Sequence, residues 1–149
     1  MKKHGARFGT ARDPHAITRA LVGVQMLDGS QTTDLALAYR VALECLRTGH
    51  GVESHVHTLA CASNIALVLA ERGYGADSID AIKLAQDGIM RCFERHQRIG
   101  QYGLDGEAID AITYLCNLHD VQIRQARQKH IREAIAEVHK RMDAGDVLR

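Results

Sequence analysis

The sequence predicts an all-α protein, a helical bundle of about five helices with a long C-terminal helix. Three observations lead there. Apolar residues recur at spacings of three and four through successive segments, glycine clusters punctuate those segments, and the single proline, Pro14, stands where a helix begins.

In the run RDPHAITRALVGVQML, Asp13 can accept from the free N–H groups of a first turn, while Pro14 has the φ of a first helical position and no N–H to leave unpaired. Ile17, Ala20, Leu21 and Val24 share a face, and DGS at 28–30 marks a turn, so a first helix is expected to stop near Leu27. Ser30 or Thr32 caps a second helix, in which Leu35, Ala38, Tyr39, Ala42 and Leu46 keep the helical period as far as GHG at 49–51. A third helix over 52–71 contains LACASNIALVLA at 59–70. That stretch is apolar on nearly every side, the pattern of a helix surrounded by others, and it is placed at the centre. Its polar interruption, Ser63 and Asn64, must find hydrogen-bond partners if buried.

After RGYGADS, Asp77 or Ser78 is expected to cap a fourth helix with Ile79, Ile82, Ala85, Ile89 and Phe93 inward, Gly88 as its weak point and an end near Ile99. GQYGLDG at 100–106 lacks the spacing and the preceding strand of a phosphate-binding fingerprint, and reads as a flexible connector. From 105 to 144 the helical pattern meets no breaker, which makes a helix of about 60 Å. Ile109, Ile112, Leu115 and Leu118 of its first half suit the bundle, whereas Ile131, Ala134, Ile135, Val138 and Met142 form a narrow apolar stripe amid charge. A helix longer than a small domain is wide predicts that this stripe meets a second copy of the chain, so these five residues are the expected dimer interface. A turn that folds the second half back is the alternative.

A chain of 149 residues fits one domain, read as a flexible basic arm at 1–12 and a single helical domain at 13–149. With 46% hydrophobic and 25% charged residues it holds enough apolar surface to offset the entropy of ordering, so a disordered chain is not the default expectation. Positive charge at the N-terminus has no apolar run behind it, and no segment approaches the length of a membrane span, so a cytoplasmic protein without a membrane partner is expected. Cysteines at 45, 61, 92 and 116 fall in helical segments rather than tight loop spacings, which favours reduced thiols over a disulfide framework.

GHGVESHVHTLAC at 49–61 concentrates histidines near a cysteine and raises the question of a metal. His55 and His57 lie about 200° apart around a helix and cannot share an ion. His57 with Cys61, Cys92 with His96 and Cys116 with His119 have the helical spacing of three or four. These are the weak metal candidates, and a metal-binding bundle is one alternative function. CxxC, HExxH and ExxH are absent and no acid pairs with these histidines at ligand spacing, so small core cysteines are the favoured reading and no metal or cofactor is expected. No nucleophile, base and orienting group are linked in the pattern, and the chain is read as non-catalytic.

The net charge of +1 conceals two basic clusters. One is the arm with Lys2, Lys3, Arg7 and Arg12; the other is QIRQARQKHIR at 122–132 with Arg124, Arg127, Lys129 and Arg132 and no acid. They are the candidate contacts to double-stranded DNA, against the reading that Asp120, Glu133 and Glu137 merely balance a solvated face. Scarce aromatics and the lack of Trp disfavour a base-stacking platform.

The runs ARFGTARDPHAITRALVG, TLACASNIALVLAERG and IKLAQDGIMRC resemble a group of small uncharacterised helical proteins of bacterial prophages and integrated mobile elements, over most of the chain. Some of that group carry a label likening them to Fis-type DNA-binding regulators. The resemblance implies an accessory or regulatory role and assigns no catalytic residue. The expectation is therefore an interaction or regulatory module, dimeric and with a protein partner, and the alternative is a DNA-binding accessory protein.

Overall fold

Among the described residues, five α-helices and one 3-10 turn follow one another with no strand: α1 (Gly29–Arg47), α2 (Glu53–Glu71), the turn Ala76–Ser78, α3 (Ile79–Ile99), α4 (Gly106–Gln125) and α5 (Gln128–Ala144). The structure is a computed structural model that describes the backbone of residues 29–146 and the side chains of residues 36–146. The helix expected at 13–27 and the arm carrying Lys2, Lys3, Arg7 and Arg12 lie outside the described residues. No described helix is long and apolar enough to cross a membrane.

The helix read as central is central. α2 packs against α1, α3, α4 and α5, and Leu59, Ala66, Leu69 and Ala70 have no exposed surface. Its composition explains how one helix can take that many neighbours, since Ala60, Ala62, Ala66 and Ala70 add little radius and let the surrounding helices approach. Two apolar layers share it. Val56, Leu59, Ala66 and Ala70 meet Tyr39, Ala42 and Leu46 of α1, Ile82, Ala85 and Ile89 of α3, and Ala108, Ile112 and Leu115 of α4. On another side, Cys61, Ile65, Val68 and Leu69 meet Ala126 and Ile131, Ala134, Ile135 and Val138 of α5. Ser63 and Asn64 are buried with partners: Ser63 Oγ donates to the Ala60 carbonyl at 2.7 Å, and Gln86 Nε2 of α3 donates to Asn64 Oδ1 at 3.1 Å.

The helix ends use devices that composition only partly announces. At the start of α2, His55 Nδ1 accepts from the Val52 backbone N–H at 3.1 Å, filling the place where a capping box would put Glu or Gln. Glu53 in the same turn complements the helix dipole. Neither Asp77 nor Ser78 caps α3 through its side chain as expected. The chain instead enters α3 through the 3-10 turn, where the Ser78 N–H reaches the Gly75 carbonyl, and the Ser78 hydroxyl pairs with Tyr114 of α4 at 2.9 Å. α3 ends at left-handed Gly100. The connector after it, expected to be flexible, is folded back on α3. Tyr102 stacks on His96 with centroids 3.9 Å apart, Arg91 holds Asp105 at 2.8 Å, and Asp105 caps α4 by accepting from the Ala108 N–H at 2.7 Å.

The expected unbroken helix over 105–144 is two helices. Ala126 and Arg127 are extended, with ψ of 141° and 146°, and they part α4 from α5 without a glycine or proline. Burial is the reason. Interrupting the ladder forfeits a few hydrogen bonds worth about 1 kcal/mol net each, while burying Ile131, Ile135 and Val138 on α2 gains about 1.5–3 kcal/mol for each side chain. The expected dimer stripe is corrected accordingly: Ile131, Ala134, Ile135 and Val138 are buried within the chain and Met142 is half-buried beside them, so α2 covers the face that was assigned to a second copy.

Two expected outcomes follow from this packing. Gly88 sits where a Cβ would lie 2.7 Å from the Ala108 Cβ. Gly88→Ala should lower the thermal midpoint, because overpacking costs about 1–3 kcal/mol against a helix-propensity gain of about 1 kcal/mol. A raised midpoint would show that α3 and α4 can part. Ile135→Ala should cost about 2–4 kcal/mol in urea unfolding, with a midpoint independent of protein concentration. A concentration-dependent midpoint would return the stripe to an interface between chains.

Candidate nucleic-acid interface

The break at 126–127 gathers the cations of the second basic cluster at a corner. Arg124 ends α4, Arg127 is the residue before α5, Lys129 is in its first turn and Arg132 is one turn on. All are exposed, Lys129 at 80% of its side chain. No side chain caps α5 and its first turn holds no acid, so its first backbone N–H groups and the positive end of its dipole add to the cations.

Of the acids expected to balance this face, Asp120 and Glu137 are engaged elsewhere, while Glu133 pairs with Lys129 of the face itself as well as with Arg72. Asp120 accepts from the Tyr39 hydroxyl and from Arg40, an interaction that ties α1 to α4 and raises the Tyr39 hydroxyl well above its ordinary range, burial being the largest cause. Glu137 holds Arg141 at 3.1 Å. Arg141 also reaches Glu71 at 2.6 Å, which stitches α5 to the end of α2. Glu133 stands 3.6 Å from Arg72 and 3.9 Å from Lys129. Arg124, Arg127 and Arg132 form no ion pair among the described residues.

What holds the corner in place is a buried polar network that the charged run concealed. Gln122, within that run, is 1% exposed. Its Nε2 donates to the Ala66 carbonyl of α2 at 3.0 Å and to the Tyr74 carbonyl at 2.9 Å, which leaves Oε1 to face Nδ1 of His119 at 3.0 Å. Since Oε1 can only accept, His119 carries its proton on Nδ1. Tyr74, in the turn after α2, also brings its hydroxyl to Nδ1 of His130 in α5 at 2.6 Å. One residue therefore braces both sides of the corner, α4 through its carbonyl and α5 through its ring.

The Cys and His pairs are distributed through the fold. Cys61 lies in the α2–α5 layer, whereas Cys92 and Cys116 lie in the larger core, where burial pushes both thiols up to about 11. His57 Nε2 is 3.6 Å from Glu53, four positions earlier, which corrects the expectation that no acid pairs with these histidines; His96 is stacked on Tyr102, and His119 belongs to the network above. Among the described residues no group of three or more His, Cys, Asp or Glu side chains could hold a metal ion. No protein-family model, curated protein or solved structure matches the chain.

Burial lowers the affinity of His119 for a second proton. Its folded value is depressed below the unfolded one near 6.5, so the stabilisation it supplies is present above about pH 6.5 and is lost as the pH falls below that. Urea unfolding between pH 7.5 and 5.5 should show stability falling on acidification by at most about 1.4 kcal/mol per unit from this group. His119→Gln should flatten that dependence, and an unchanged slope in the variant would exclude His119 as its source.

Proposed function

We propose that the protein is a non-catalytic binding module whose α4–α5 corner contacts the phosphate backbone of double-stranded DNA. The observation that carries this reading is the exposure of Arg124, Arg127, Lys129 and Arg132 at one helix corner while Asp120 is held by Tyr39 and Arg40, Glu137 by Arg141, and Glu133 is shared between Arg72 and Lys129. A bare helix N-terminus beside cations suits phosphate, because backbone N–H groups and the dipole both favour an anion there.

Contacts of this kind supply affinity and register without reading sequence. The module is then an accessory factor that binds duplex by charge, in line with the mobile-element resemblance. The basic arm with Lys2, Lys3, Arg7 and Arg12 adds a second cationic segment to the same chain. With the α5 stripe packed on α2, the corner needs no second copy of the chain to present its charge.

Titration of a fluorescent random-sequence duplex at several salt concentrations tests the reading. Four phosphate contacts give a log–log salt slope of about −3.6 for duplex DNA. Arg124→Glu with Arg127→Glu should abolish binding near 0.1 M salt while the helical circular dichroism is retained. Unchanged affinity in the double variant, or no binding by the native protein at low salt, would overturn the proposal.

A further inference from the structure

Around the α4–α5 corner the ion pairs differ in kind. Arg40 is hydrogen-bonded to Asp120, and Arg141 reaches Glu71 at 2.6 Å and Glu137 at 3.1 Å. Glu133 makes looser pairs. Its Oε2 lies 3.6 Å from the Arg72 guanidinium and its Oε1 3.9 Å from Lys129 Nζ, so each oxygen faces one cation beyond hydrogen-bond length. Solvent reaches all three side chains, which are 39%, 45% and 80% exposed for Arg72, Glu133 and Lys129. Exposed pairs of this kind contribute little to stability and are weakened by salt.

The backbone on either side of this carboxylate is fixed by other means. The Arg72 N–H donates to the Val68 and Leu69 carbonyls at 3.1 and 3.2 Å as α2 ends, and two residues on, the Tyr74 carbonyl accepts from Gln122 Nε2 at 2.9 Å. On α5, Ile131 and Ala134 stand either side of Arg132 and Glu133 in sequence and are buried in the layer shared with α2. Glu133 is therefore not needed to bring Arg72 and Lys129 together. Its carboxylate stands between two cations with one oxygen toward each, as an oxyanion from solution would. A phosphate offers the same paired oxygens to Arg and Lys. The two anions cannot share the place, because like charges at that separation repel.

Resting on the phosphate-binding reading of the adjoining corner, we propose that Arg72 and Lys129 form a two-cation seat for a backbone phosphate of duplex DNA, and that the Glu133 carboxylate is its built-in competitor. Lys129 already belongs to the basic face, so the seat adds Arg72 and carries the interface from α5 to the end of α2. Glu133 withholds that fifth cation and sets the strength of the whole face. Glu71 and Glu137 do not share this role, since both are hydrogen-bonded to Arg141.

The experiment is a double-mutant cycle of the full chain, in which the native protein, Glu133→Gln, Arg72→Gln and the double variant are each titrated with a fluorescent random-sequence duplex at several salt concentrations, with circular dichroism confirming the fold. Glu133→Gln should bind about three- to eightfold more tightly than the native protein near 0.1 M salt, with a log–log salt slope steeper by about 0.9, the signature of one added phosphate contact. Arg72→Gln should weaken binding far more in the Glu133→Gln background than in the native one, erasing there both the gain and the steeper slope. Non-additivity of that size is the mark of two residues acting on one seat. If Glu133→Gln brings no gain, or if Arg72→Gln costs the same in both backgrounds, Arg72 and Glu133 act only through the general field of the surface, which overturns the seat and leaves the phosphate reading intact. Failure of the native protein to bind at low salt overturns the phosphate reading itself.

Discussion

The packing of α5 on α2 is the constraint from which the rest of this structure follows. Ile131, Ala134, Ile135 and Val138 recur on one face of an otherwise charged helix, and Cys61, Ile65, Val68 and Leu69 of α2 offer the surface that covers them. A continuous helix would carry that face away from the bundle into water. The chain gives up helical hydrogen bonds at Ala126 and Arg127 to bring it back, and the apolar gain exceeds the loss. The same turn exposes Arg127 and the first N–H groups of α5. A feature with functional potential is thus a by-product of satisfying the core.

A corner made only by apolar burial would be poorly specified, because hydrophobic contact is non-directional. Gln122 and Tyr74 add the direction. The Gln122 amide is shared among His119, Ala66 and Tyr74, and the Tyr74 ring reaches His130, so α2, α4, α5 and the turn after α2 are tied in one network. Removing the Gln122 side chain would leave buried groups without partners, at a cost larger than the network's net favourable contribution. Asp120 performs a related service between α1 and α4 through Tyr39 and Arg40.

Much of the bundle was legible because its signals are local. Apolar residues on every side of 59–70 placed α2 at the centre, and the glycine at 100 placed the end of α3. The break at 126–127 was not legible, since neither residue is a breaker and the cause lies on α2, more than fifty positions away. Gln122 was hidden for a similar reason: in QIRQARQKHIR it looks like one more solvated residue, and only its position one turn beyond buried His119 and two turns beyond buried Leu115 hints that it faces inward. His55, weighed for a metal and set aside, is part of a helix cap, and Gly88, read as a weakness, is a point of close approach. In each case the residue type was noticed and its partner could not be.

The candidate interface was half legible for a reason rooted in electrostatics. Counting charges along a segment can show that 122–132 carries four Arg and Lys residues and no acid, but it cannot show where the neighbouring acids are directed. Asp120 and Glu137 lie close in sequence to those cations, yet Tyr39 and Arg40 take the first and Arg141 takes the second. Those pairings are made between helices or within a turn, where geometry fixes them. A net charge near zero therefore coexists with a local positive field, because the acids neutralise cations that hold the bundle together and leave Arg124, Arg127 and Arg132 for solvent or a polyanion. Pairing, rather than composition, decides the sign of a surface in a protein of this size.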